Sequence, residues 1–154
     1  MVILSIILVI LIHEAGHIFF GKLFGFKIDS ITLFLYNKRP VLSVRIFGLK
    51  INIGWMIWSG ATNFENKDAE LWKWILVLSG GIIFNLTFGF IVLNGHYFEF
   101  METYLFCLFN GISYQSTDFG LLDFTAFLSL ILAVVNALPF KGLDGSKLKE
   151  IINS

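Results

Sequence analysis

The sequence predicts an α-helical integral membrane protein. It would have a three-transmembrane-helix core, a small interfacial antiparallel β-sheet between helices 1 and 2, and a hairpin or interfacial segment between helices 2 and 3. Three observations predict this class. The 154 residues are 56% hydrophobic and only 14% charged, with a mean hydropathy of +0.80, against about 25% charged residues in an ordinary soluble domain. Three apolar runs, at about residues 2–24, 72–93 and 121–140, each offer roughly 20 residues, enough at 1.5 Å per residue to cover about 30 Å of hydrocarbon. Finally, the basic residues are segregated. Lys22, Lys27, Lys38, Arg39, Arg45, Lys50, Lys67 and Lys73 fall in the segment 21–73, from the end of the first run to the start of the second, and Lys141, Lys147 and Lys149 follow the third, while 94–120 carries neither Lys nor Arg.

The first run has no basic leader and no small-residue cleavage site before His13, so it is expected to be a retained span and not a signal peptide. Beyond it, the periodicity shortens towards two. Ile31–Tyr36, Val41–Ile46 and Leu49–Ile53 are β-branched or aromatic runs, separated by Asn37-Lys38-Arg39-Pro40 and Phe47-Gly48. The β-region is therefore placed at 31–54. Open sheet edges are not tolerated against lipid, so the sheet belongs at the interface or against the helices. A free edge beside an active site would let an extended substrate add as a further strand; a mere covering layer is the equal alternative. Trp55, Trp58, Trp72 and Trp74 flank the second run as expected interfacial anchors. Residues 97–114 are apolar and aromatic but contain Glu99, Glu102 and Asn110; they read as a hairpin or interfacial helix, with an extra span as the competitor.

The positive-inside rule then puts the N-terminus outside, 21–73 inside, 94–120 outside and the C-terminal tail in the cytoplasm. Three spans satisfy every segment. The balance of 11 basic and 11 acidic residues offers no basic groove, so no nucleic-acid partner is expected. The single Cys107 cannot form an internal disulfide and is expected to behave as a small hydrophobe.

Within the first run stands His13-Glu14-Ala15-Gly16-His17, a complete HExxH. Positions i and i+4 share a helix face, so both imidazoles can reach one ion with Glu14 beside them. Ionisable groups at membrane depth are costly and normally mark function. The alternative, two histidines merely packed in a bundle, would bury them without comparable compensation. Two nitrogens leave a metal short of ligands, and Asp144, just beyond the third run on the same inner side as His17, is the best third donor on topology; a helix cap or turn residue is its other reading. Two histidines and one carboxylate with a hydrolytic motif favour zinc, although such a set can hold iron. Asn85 and Asn136 lie within the second and third runs and need partners there. Each could bond neighbouring helices, helped around the second span by Gly80, Gly81 and Gly89, or hold substrate backbone or a developing oxyanion.

These residues coincide with those of a known family. The chain resembles the site-2 protease family of intramembrane zinc metalloproteases, the M50 peptidases. The likeness rests on the HExxH at 13–17 and on an NxxPxxxLDG motif at Asn136-Ala137-Leu138-Pro139-Phe140-Lys141-Gly142-Leu143-Asp144-Gly145. The resemblance implies one Zn2+ per chain held by His13, His17 and Asp144, Glu14 as the catalytic base, and Asn136 in substrate handling. The family's GPxxN pattern is matched at Gly81 and Asn85, with Ile82 where proline is usual, which puts a local bend of the second span in question.

The implied reaction is hydrolysis of peptide bonds in or near transmembrane segments of membrane proteins or residual signal peptides. The expected setting is a bacterial or archaeal plasma membrane. The length suits one membrane-embedded domain over 1–154, with no room for the PDZ or CBS domains that many members add. Selection is then expected from the core itself, a membrane regulatory partner or prior trimming of the substrate. A scaffold keeping a structural metal, and a metal transporter, are the competing classes; the few polar groups in the spans argue against the transporter.

Overall fold

The computed structural model describes residues 2–34, 40–46, 48–55, 60–65, 69–93, 106, 109–110 and 120–153. Among them the chain forms helix α1 (Val2–Leu23), strands β1 (Ile28–Leu33), β2 (Leu42–Ile46), β3 (Leu49–Ile53) and β4 (Gly60–Phe64), then helices α2 (Leu71–Leu93), α3 (Leu121–Ala137) and α4 (Asp144–Ile152). Helices α1 and α2, of 22 and 23 residues, are long and apolar enough to cross a membrane. Helix α3 is apolar but has only 17 residues, about 26 Å at 1.5 Å per residue.

It ends at Ala137 and not near residue 140 because Pro139 disfavours a helical conformation at the residue before it. Leu138 is extended accordingly, with φ −72° and ψ 144°. At its other end the Gly120 amide donates to the Asp123 carboxylate at 3.0 Å, satisfying one of the donors a helix start leaves over. Of the segment 97–114, only Phe106, Phe109 and Asn110 are described, so its hairpin, interfacial and spanning readings, like Cys107 and Trp58, fall outside the described residues.

The expectation of a wholly antiparallel sheet within 31–54 is corrected. The sheet is mixed, has four strands in the order β2-β3-β1-β4, and extends from residue 28 to 64. β2 and β3 form the expected antiparallel hairpin, with Gly48 at φ 81° in its turn. β1, however, pairs with β3 in parallel (Ser30 with Lys50, Leu33 with Ile53) and with β4 antiparallel. β4 runs Gly-Ala-Thr-Asn-Phe and has little strand propensity of its own. Its conformation comes from pairing with β1, continued by the Glu65 amide donating to the Lys27 carbonyl at 3.0 Å.

Sheet and helices are joined by an aromatic cluster. Phe26 packs edge-on against Trp74 at 4.7 Å and against Phe64 at 5.6 Å, tying β4 to the start of α2. Trp74 is thus half-buried against this cluster, whereas Trp55 and Trp72 are exposed.

α1 and α2 run antiparallel with their backbones in close approach. A Cβ at Gly16 would stand 2.2 Å from the Gly80 carbonyl oxygen, and one at Gly80 would stand 2.6 Å from that of Gly16. This pair of glycines sets the helix separation at the level of the histidines. Gly16→Ala is expected to force the helices apart and to cost about 1–3 kcal/mol, in the manner of an overpacked core. Thermal loss of helical circular dichroism in detergent measures it, and an unchanged midpoint would contradict the close approach. Elsewhere, Thr125 Oγ1 donates to Ser5 Oγ at 3.0 Å between α3 and α1, with both residues fully buried.

Candidate metal centre

The HExxH repeat places His13 and His17 one turn apart on α1, on the face turned to α2. Facing them is a stripe of α2 residues at four-residue spacing, Val77, Gly81 and Asn85, and each meets a histidine. The Val77 carbonyl accepts from His17 Nδ1 at 2.8 Å. Gly81 gives the His13 ring its room, since a Cβ there would lie 2.5 Å from His13 Cε1. The amide nitrogen of Asn85, which is fully buried, lies 3.2 Å from His13 Nδ1.

The third donor arrives from 127 positions beyond His17. After α3 ends, the chain turns through Gly142, at φ 98°, and starts α4 at Asp144. Gly145 allows this start to tuck under the end of α3, because a Cβ would stand 2.4 Å from both the Ala137 and Leu138 carbonyl oxygens. Pro139, Gly142 and Gly145 therefore share one task, which is to return an aspartate to the level of the histidines. Asp144 Oδ2 lies 2.9 Å from His13 Nε2 and 3.1 Å from His17 Nε2, and the two Nε2 atoms are 3.2 Å apart. Oδ1 accepts from Lys147 Nζ at 2.9 Å. Burial alone would raise the Asp144 pKa; the hydrogen bonds with His13 and His17, and the nearby Lys147 ammonium, hold the carboxyl well below the usual carboxylate range instead.

The three donors fit a zinc ion. A tetrahedral site with bonds of about 2.0–2.1 Å has donors roughly 3.3 Å apart, close to the distances found. Tautomer chemistry agrees. The Val77 carbonyl can only accept, so Nδ1 of His17 carries a proton; the neutral ring then has its Nε2 lone pair free for a metal, whereas a hydrogen bond to the Asp144 carboxylate needs a second proton on Nε2. Atoms this close need a proton or a metal ion between them, and His13, His17 and Asp144, all buried, form the candidate metal-binding group among the described residues.

Glu14 stands outside that group. It is buried, with Oε2 accepting from Thr62 Oγ1 of β4 at 2.7 Å. Oε1 lies over Gly60, where a Cβ would come within 2.5 Å of it. A cavity of about 200 Å3 connects Glu14, the three donors, Gly60–Thr62 and Asn136. Of the two asparagines singled out in the sequence, Asn136 is half-buried on the cavity wall, whereas Asn85 sits behind His13 and does not line the cavity. Sequence reasoning missed Gly60 and Thr62, because a weak strand of small polar residues carries no signal of its own, and Lys147, which is legible only as the i+3 partner of Asp144 on α4.

The sequence profile of peptidase family M50 matches residues 1–119. This stretch holds the HExxH and Asn85 but ends before Asn136 and Asp144, so the place of the third donor rests on the geometry. No curated protein matches the chain.

Proposed function

Because the chain belongs to peptidase family M50, whose members are membrane metalloproteases, we propose that it is a zinc metalloendopeptidase hydrolysing peptide bonds in or near transmembrane segments of membrane proteins or residual signal peptides. The observation that carries this reading is the buried convergence of His13, His17 and Asp144 beside Glu14, with the histidines and Glu14 on a helix, α1, long and apolar enough to cross a bilayer. The proposed arrangement has three spans, with α3 the shortest, the N-terminus outside and α4 on the cytoplasmic side of a bacterial or archaeal plasma membrane. It follows the distribution of Lys and Arg.

Zinc bound by the three donors supplies Lewis acidity, which polarises the scissile carbonyl and makes water a competent nucleophile near neutral pH. The residues of the chain supply the rest. Glu14 takes a proton from the attacking water and delivers it to the leaving amine. Thr62 holds Oε2 of that carboxylate, which leaves Oε1 over Gly60, where the missing side chain keeps space for water.

β4 is an edge of the sheet and also forms a wall of the cavity. An extended substrate pairing with β4 would lie along that wall, and its register would set which peptide bond faces Glu14. A substrate helix hides its backbone in its own hydrogen bonds, so it must unwind before it can pair; Asn136, which also lines the cavity, offers an amide to the released groups.

The test is cleavage of single-span reporter proteins by purified protein in lipid nanodiscs, with product masses locating the cut. Cleavage in or beside the apolar segment, abolished by a chelator and restored by zinc, is expected. Cleavage indifferent to metal removal, or none by zinc-loaded protein over a panel of reporters, would count against the proposal. Gly60→Ala serves as a finer probe. It is expected to lower kcat on the order of 100-fold, the scale of a 1 Å misplacement at a reacting centre, while zinc content stays unchanged; unaltered kcat would show that the space over Gly60 is unused.

A further inference from the structure

Asn85 is fully buried, yet its Oδ1 has no hydrogen-bond partner among the described residues, while Nδ2 lies 3.2 Å from His13 Nδ1. A neutral imidazole carries one proton. If Nε2 of His13 is to hold a metal, that proton must sit on Nδ1, and the group within hydrogen-bond reach of Nδ1 among the described residues is the Asn85 amide. Only an acceptor can face an N–H. A half-turn of the amide exchanges its nitrogen and oxygen within the same volume and gives Oδ1 the partner it lacks.

The orientation with Nδ2 towards the ring suits the other tautomer, in which Nε2–H donates to Asp144 Oδ2 at 2.9 Å and Nδ1 accepts from Asn85. An amide can serve both tautomers. A carboxylate can serve only the metal-holding one, and an alkyl group neither.

We propose that Asn85 is the positioning residue of the metal centre: with its carbonyl on His13 Nδ1–H, it fixes the tautomer that turns the Nε2 lone pair towards His17 Nε2 and Asp144 Oδ2, and its amide rotates as metal is bound or lost. The proposal rests on the zinc reading above. It assigns Asn85 a place behind the ligand and gives substrate contact to the cavity wall.

The test is zinc affinity, measured by chelator competition on the unmodified protein, Asn85→Leu and Asn85→Asp. Asn85→Leu keeps most of the volume without an acceptor, and a loss of roughly 10- to 100-fold is expected, as for other ligand-orienting partners. Asn85→Asp keeps the acceptor and is expected to bind zinc at least as tightly as the unmodified protein. Equal affinity in Asn85→Leu, or an equal loss in both variants, would overturn the proposal and leave the zinc site standing.

A second measurement does not depend on either variant folding. Nitrogen-15 resonances of histidine-labelled, zinc-loaded unmodified protein should show His13 protonated at Nδ1, and an unprotonated Nδ1 would overturn the assignment. Absence of zinc binding by the unmodified protein itself would remove the zinc reading and this inference together.

Discussion

Glu14→Gln is expected to lower peptide hydrolysis by roughly 10²- to 10⁴-fold, the usual contribution of a general base, while zinc remains at about one ion per chain. The separation of effects follows from the geometry. Glu14 is not among the three converging donors, and its Oε2 is engaged by Thr62. A glutamine side chain has the same shape and can still accept the Thr62 hydroxyl, so the buried site keeps its packing. What it loses is the ability to take a proton from water. Single-turnover cleavage of a reporter and metal analysis on the same preparation read both halves. If activity survived, another group would have to be the base. If zinc left together with activity, Glu14 would be a ligand and the donor assignment would be wrong.

Asp144→Ala is expected to remove most of the bound zinc under conditions that load the unmodified protein. The loss of affinity should exceed the roughly 10- to 100-fold that follows removal of a ligand's outer hydrogen-bond partner. The substitution takes away the one carboxylate of the set and leaves two imidazoles, fewer than the three protein ligands that hold a catalytic zinc. Lys147 is about half exposed at its side chain, so losing its partner leaves a solvated ammonium and not a buried charge. Asp144→Asn retains an oxygen without the charge and should fall between the two. Chelator competition across the three proteins gives the ranking, and an alanine variant that binds zinc like the unmodified protein would detach α4 from the metal site.

The parts legible in the sequence were those encoded locally. A four-residue spacing on a helix fixes which side chains share a face, so His13 and His17 follow from the HExxH alone. Asp144 lies far away in sequence; the expected topology made it the best third donor, with a cap or turn residue as its other reading, and the resemblance of the NxxPxxxLDG motif decided between them. The end of α3 was also written locally, in Pro139, although apolar character alone carries the run on to Phe140.

Strand direction was not local. Alternation along β1, β2 and β3 describes each strand separately, while the parallel pairing of β1 with β3 depends on how the connection returns the hairpin. β4 was hidden for a related reason, since Gly60-Ala61-Thr62-Asn63-Phe64 becomes a strand only once β1 is there to pair with it. Asn85 could be recognised as a buried polar group needing a partner, but its position behind His13 depends on the rotation of α2 against α1. That rotation is set by the Gly16–Gly80 approach, which no single-segment pattern records.

The most direct test of the two-histidine, one-carboxylate centre is X-ray absorption at the zinc edge of protein purified in detergent, with the zinc content of the same sample. The expected result is near-stoichiometric zinc with two imidazole nitrogens and one or two further oxygen donors at about 2.0–2.2 Å. A sulfur shell, a single imidazole, or no zinc after controlled reconstitution would contradict the joining of α1 and α4 through one metal ion.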